Sequence, residues 1–180
     1  MKLPATVGGD ERRRLFCALT LPEQVVDRVL AWQEEVFADV PDVRVVPRDN
    51  LHVTLAFFGA RPAAEVPAIV DAMQASAAET ELEFTVRRYR ETPRVGMLSL
   101  DWQGRLGEFR ARFEGLGLDT HSRAVWHPHI TVIRFRQAPR LRPAVPDLGT
   151  FSPSEAAVYH SVLRGSGAQY EILETAALGG

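Results

Sequence analysis

The chain has 180 residues, a formal net charge of −2 at pH 7, and 46% hydrophobic against 24% charged residues. That length and balance fit one globular unit with a full core and argue against disorder. The near-neutral charge means that no global field draws the protein to nucleic acid or to a membrane, so any such contact has to be local. Residues 1–13 hold Gly8-Gly9 and a charged run without an apolar stretch. They are expected to form a flexible leader and not a signal peptide. Residues 14–21 read as a buried strand containing the single cysteine, Cys17. One cysteine excludes an internal disulfide, and its apolar neighbours make it a core residue and not a nucleophile. Pro22-Glu23 then opens a helix to about residue 37, with Val25, Val29, Trp32 and Val36 on its buried stripe.

A short strand over 43–46 and a longer one over 51–58, closed by Gly59, lead into an alanine-rich helix over 63–78. Residues 82–90 and 95–100 form a hairpin around Thr92-Pro93, and 106–116 a helix ended by Gly115 and Gly117. A strand over 130–135 is followed by a loop punctuated by Pro139, Pro143, Pro146 and Pro153. Two closing strands, 155–163 and 170–177, meet at Gly165-Ser166-Gly167. Helices mixed with hairpins give an α+β class. No apolar run approaches the roughly 20 residues that cross a bilayer. A soluble, cytoplasmic protein without membrane contact is expected.

Two strings carry the chemistry: His52-Val53-Thr54-Leu55 and His129-Ile130-Thr131-Val132. Strand side chains alternate, so His52 and Thr54 share one face, as do His129 and Thr131, while the apolar residues between them face a core. A polar pair presented twice suggests one site with two matching halves. Two imidazoles can act as base and acid in one displacement, and two hydroxyls can hold a phosphate between them.

At these residues the chain resembles the two-histidine (2H) phosphoesterase superfamily, and within it the bacterial RNA 2′,3′-cyclic phosphodiesterases, also described as 2′–5′ RNA ligases. The resemblance runs from Arg14-Leu15-Phe16-Cys17-Ala18-Leu19 through the motif of residues 49–59 and His127-Pro128-His129-Ile130-Thr131-Val132-Ile133-Arg134 to the tail of residues 161–170. It implies a single bilobal, pseudo-twofold domain over 14–180. Two mainly antiparallel sheets would face a central cleft, with helices packed outside. It implies hydrolysis of a 2′,3′-cyclic phosphate on RNA 3′ ends or nucleotides to a 2′-phosphomonoester, without metal or cofactor, by a monomer needing no protein partner. His52 and His129 would be catalytic, and Thr54, Thr131 and Arg134 would bind phosphate. His129 is taken as base and His52 as acid, roles that the reverse reaction exchanges. Ligation, cleavage of another small phosphodiester, and a non-catalytic module holding a nucleotide or RNA end are the other readings. Intact His and Thr in both motifs weigh against the last.

Arg134 poses a problem of phase. Strict alternation from His129 sends it to the other face, so reaching phosphate requires the strand to bulge or end near Val132–Ile133. Phe58 and Trp126 are candidates to line the pocket or stack on a base, with packing in the core or between the lobes as the other reading for each. His127, two residues before His129, is expected to support the site from behind. His121, His127 and His129 lack a carboxylate or thiolate at zinc-like spacing, so no metal is expected. Arg87, Arg88, Arg90 and Arg94 alternate on the predicted hairpin, either tracking an RNA backbone or forming a solvated face.

Overall fold

The computed structural model describes residues 11–117, 126–165 and 167–179. The elements in chain order are β1 (Arg12–Thr20), α1 (Glu23–Phe37), β2 (Val43–Val45), β3 (His52–Pro62), α2 (Val66–Ala77), β4 (Leu82–Glu91), β5 (Val95–Gly104), α3 (Leu106–Gly115), β6 (His129–Phe135), β7 (Glu155–Arg164) and β8 (Gly167–Ala177). The strands pair antiparallel in the order β4-β5-β6-β3-β1-β7-β8, with β2 added alongside β6. The two expected sheets are therefore halves of one. A single register pair between β3 and β6, Val53 opposite Ile130, joins them.

All three helices bury their apolar stripes against the same face of this sheet. Val29 and Trp32 of α1, Ile69 and Met73 of α2, and Phe109 and Phe113 of α3 share one core with Leu19, Val53, Leu98 and Ile130. The opposite face carries a small separate cluster of Phe16, Ala18, Ala157 and Tyr159. Arg12 and Arg13, expected in the leader, belong instead to β1, paired with Pro62 and Arg61. The strand expected to close at Gly59 runs on to Pro62, with Gly59 at φ 70° in the left-handed region that favours glycine. The alanine-rich segment begins with a 3₁₀ turn, Ala63–Glu65, before α2.

Both motif strands break register immediately after the threonine. In β3, Thr54 pairs with Ala18 but Ala56 pairs with Cys17, leaving Leu55 as the extra residue. In β6, Thr131 pairs with Met97 but Ile133 pairs with Gly96, leaving Val132 extra. An extra residue reverses the alternation beyond it. Leu55 and Ala56 are accordingly both buried, as are Val132 and Ile133. Downstream, Phe57 and Arg134 turn to the face that already holds the His and Thr side chains. Of the two ways for Arg134 to reach this face, β6 takes the bulge and runs on to Phe135, and β3 has its counterpart.

A helix side chain donates to the carbonyl of each bulge residue, at Val132 in addition to the Val46 N–H at 2.9 Å. Gln33 Nε2 of α1 donates to the Val132 carbonyl at 2.6 Å and to the Val46 carbonyl at 3.1 Å. Arg110 Nε of α3 donates to the Leu55 carbonyl at 2.8 Å. A second register break in β3 leaves Phe58 extra between Phe57 and Gly59. Phe58 is 1% exposed, its ring 5.2 Å from that of Phe113, whereas Phe57 is 46% exposed. Of the two readings for Phe58, core packing holds and pocket lining does not, because the bulge at Leu55 shifts the phase and hands that place to Phe57.

Truncating Phe58 to alanine should therefore cost about 3–5 kcal/mol in equilibrium unfolding. Phe57→Ala should cost at most about 1 kcal/mol, the size of one partly exposed aromatic pair. Equal losses would contradict the assigned faces. Gln33→Leu removes the side-chain donor to the Val46 carbonyl and one of the two donors to the Val132 carbonyl, and should lower stability by about 1–3 kcal/mol in the same measurement. An unchanged transition would show that the Val132 bulge holds without it.

Candidate active site

A pocket of about 420 Å³ opens on the sheet face opposite the helices, where β3 and β6 meet. His52, Thr54, His129, Thr131 and Arg134 all line it, together with Phe57, Arg44, Asn50 and Tyr170. The antiparallel sense around the Val53–Ile130 pair brings His52 alongside Thr131 and Thr54 alongside His129. The motifs therefore enclose one cavity, and two separate sites are not formed.

Both imidazoles are oriented in the same way. His52 Nδ1 lies 2.8 Å from the Asn50 carbonyl oxygen, and His129 Nδ1 lies 2.9 Å from that of His127. A carbonyl can only accept, so each Nδ1 carries the proton and Nε2 is the nitrogen whose protonation changes. The Thr54 hydroxyl donates to His52 Nε2 at 2.9 Å. His127 meets the site through its main-chain carbonyl, and the residue itself is exposed. Asn50 in turn donates through Nδ2 to the Ala168 carbonyl at 3.1 Å, fastening the first motif to the β7–β8 hairpin.

The surroundings of the two rings differ. His52 packs against aromatic rings, with centroids 5.2 Å from Phe16, 5.6 Å from Tyr170 and 6.0 Å from Tyr159. This burial pulls its pKa from 6.5 down to about 4; the Asn50 bond opposes the shift, and the charges of His129 and Arg134 add to it. His129 is also held below its ordinary value, by burial first and by the charge of Arg90, against the bond to His127. Both shifts favour the neutral imidazole. Arg134 faces the cavity between Val95 of β5 and Arg44 of β2, adding a permanent positive charge.

Trp126, expected near a base, does not line the pocket. Its half-buried ring packs on the core with the Arg110 guanidinium 4.1 Å above its centroid, so it steadies the arginine that holds the Leu55 carbonyl. His121 lies outside the described residues. Among the described residues no three His, Cys, Asp or Glu side chains converge as a metal site requires. Sequence reasoning missed Phe57, and the phase argument made for Arg134 could have found it, since Phe57 stands five residues after His52 as Arg134 does after His129. Two neutral imidazoles, two hydroxyls and a guanidinium around one cavity can bind a tetrahedral anion and move a proton on either side of it.

Comparison with known proteins agrees with this geometry. A family profile described as LigT like Phosphoesterase matches residues 19–92. The chain is 34% identical over 184 residues to the RNA 2′,3′-cyclic phosphodiesterase of Thermus thermophilus, covering 93% of this chain and 91% of that one. Its fold matches the crystal structure of the Thermus thermophilus protein TT0787, with a TM-score of 0.79 and 26% identity over 93% of this chain and 98% of the other. It also matches E. coli LigT complexed with NADP+, with a TM-score of 0.78 and 26% identity over 94% of this chain and all (100%) of that one. A two-motif pocket on this sheet, in a chain so similar over nearly its whole length, identifies it as a member of the LigT-like phosphoesterase family.

Proposed function

We propose that this protein hydrolyses 2′,3′-cyclic phosphates, on RNA 3′ ends or on nucleotides, to 2′-phosphomonoesters. The observation that carries the reading is the convergence of both His-Thr pairs and Arg134 on one pocket, in a chain 34% identical to an RNA 2′,3′-cyclic phosphodiesterase. E. coli LigT complexed with NADP+ supports a nucleotide as the kind of ligand such a pocket takes. The chain acts as a monomer in the cytoplasm and needs no metal, because its own side chains supply both proton transfers.

His129 Nε2 takes a proton from water as the water oxygen bonds to phosphorus. The P–O3′ bond breaks on the opposite side, and His52 Nε2 gives its proton to O3′. Thr54 and Thr131 donate to the non-bridging oxygens, and Arg134 neutralises the charge that gathers there. His129 suits the base because its ring is the less enclosed by aromatic side chains and open to water. An imidazolium in the surroundings of His52 is a strong acid, since its pKa lies near 4. The anionic phosphate supplies the charge that lets it hold a proton before transfer.

Incubation with the four nucleoside 2′,3′-cyclic phosphates, and with an RNA ending in one, in excess EDTA should give 2′-phosphates by phosphorus NMR. His52→Ala and His129→Ala should each lower kcat by about 10²–10⁴-fold. A 3′-phosphate product, or full activity in either variant, would contradict the mechanism. A substrate with sulfur at the 3′ bridging position needs little protonation of its leaving group, so it should restore much of the rate to His52→Ala and little to His129→Ala. The opposite pattern would exchange the two roles. Both free-enzyme pKa values lie below 6.5, one of them near 4. The productive form, His129 neutral with His52 protonated, is one tautomer of the singly protonated enzyme, and that protonation state is most populated between the two pKa values. The profile of kcat/KM should be a bell with its maximum between about pH 4 and 6.5; a maximum above pH 7 would refute this electrostatic account.

A further inference from the structure

The two halves of the sheet flank the pocket with different chemistry. Directly paired residues in neighbouring strands point to the same face. Beyond Thr54 the row runs to Ala18 and Ala157, and beyond Phe57 to Phe16 and Tyr159, an apolar and aromatic wing. Beyond His129 the row runs to Ser99 of β5 and then Arg88 of β4. Beyond Thr131 it runs to Met97 and then Arg90. An extra residue in β4, Arg87, keeps these arginines in phase with the pocket face.

Arg87 itself is paired with Asp101 at 3.5 Å. Arg88 and Arg90 are exposed, and among the described residues neither has an acidic partner. Each stands two strand spacings from a motif residue, about 9–10 Å, a span that one or two nucleotide steps cover. The charge of Arg90 also reaches the pocket, where it acts on His129.

Resting on the function proposed above, we propose that Arg88 and Arg90 bind backbone phosphates of the RNA strand upstream of the terminal nucleotide, so that the preferred substrate is an RNA end and not a mononucleotide. The chain, with a net charge of −2, attracts RNA through this local stripe and not through its overall field. The other arm of the cleft is lined by Arg14, Arg44 and Arg134 together with Phe16, Phe57 and Tyr170; Arg44 and Arg134 already line the central pocket, which leaves Arg14 as the one arginine of that arm beyond it.

The test compares a hexanucleotide with a mononucleotide, each ending in a 2′,3′-cyclic phosphate. In Arg88→Ala/Arg90→Ala the ratio of their kcat/KM values should fall about tenfold, the low end for charge-assisted contacts at an exposed site. Taking the ratio cancels any change in His129 caused by losing Arg90. Binding of a fluorescent hexanucleotide ending in a 2′-phosphate should weaken equally. Its log–log salt slope should become shallower by about 1.4, for two phosphate contacts on a single strand. An unchanged ratio and slope, or a loss appearing in Arg14→Ala instead, would overturn the assignment. Failure of the proposed reaction is distinguishable: the wild type would then hydrolyse neither substrate, while the binding measurement would still show or lack dependence on the arginines.

Discussion

The active face depends on one backbone displacement made twice. A strand that alternated strictly through His-x-Thr-x would offer its second turn of polar or aromatic side chains to the core. The extra residues Leu55 and Val132 reverse that alternation and bring Phe57 and Arg134 onto the His-Thr face. A bulge leaves a carbonyl outside the regular ladder, and in a buried sheet such a group needs a donor. Arg110 provides it at Leu55, and Gln33 joins the Val46 N–H at Val132, from helices in different halves of the chain. Trp126 in turn lies under the Arg110 guanidinium, so part of the core acts at a distance from the chemistry to hold its geometry.

The halves match in backbone and differ in charge. Each histidine is fixed by an Nδ1–H bond to the carbonyl two residues before it, so the orienting device is local and repeated. What surrounds the rings is not repeated. Phe16, Tyr159 and Tyr170 enclose His52, while the rows beyond His129 lead to Ser99, Met97 and the β4 arginines. Five residues after the histidine one half offers Phe57 and the other Arg134. A symmetric frame with asymmetric linings suits a displacement in which one side gains a proton as the other loses one.

The pairs His52/Thr54 and His129/Thr131 were legible because strand alternation is strict over three residues and the pattern occurs twice. Helix α1 was legible to within a residue, since Pro22-Glu23 and a regular apolar stripe mark it. Strand ends were less so: Gly59 reads as a stop, yet its positive φ serves a kink within β3. The choice between core and pocket for Phe58 rests on a bulge that no residue type announces. Gln33 and Arg110 were invisible for another reason. Their carbonyl partners lie 99 and 55 residues away, and contacts at such separation leave no local spacing to read. The merging of two sheets into one likewise rests on a single long-range pair, Val53 with Ile130.

The central claim is that His52 and His129 face the same phosphate. Nitrogen NMR titration of the two imidazoles, assigned with single-histidine variants, tests it most directly when run with and without a saturating nucleoside 2′-phosphate. Without ligand both should titrate below pH 6.5, with His52 the lower, near pH 4. With ligand both should move upward together, because one anion stabilises both imidazolium forms. Movement of one histidine alone would contradict the account, leaving a pocket in which the second motif only completes the fold.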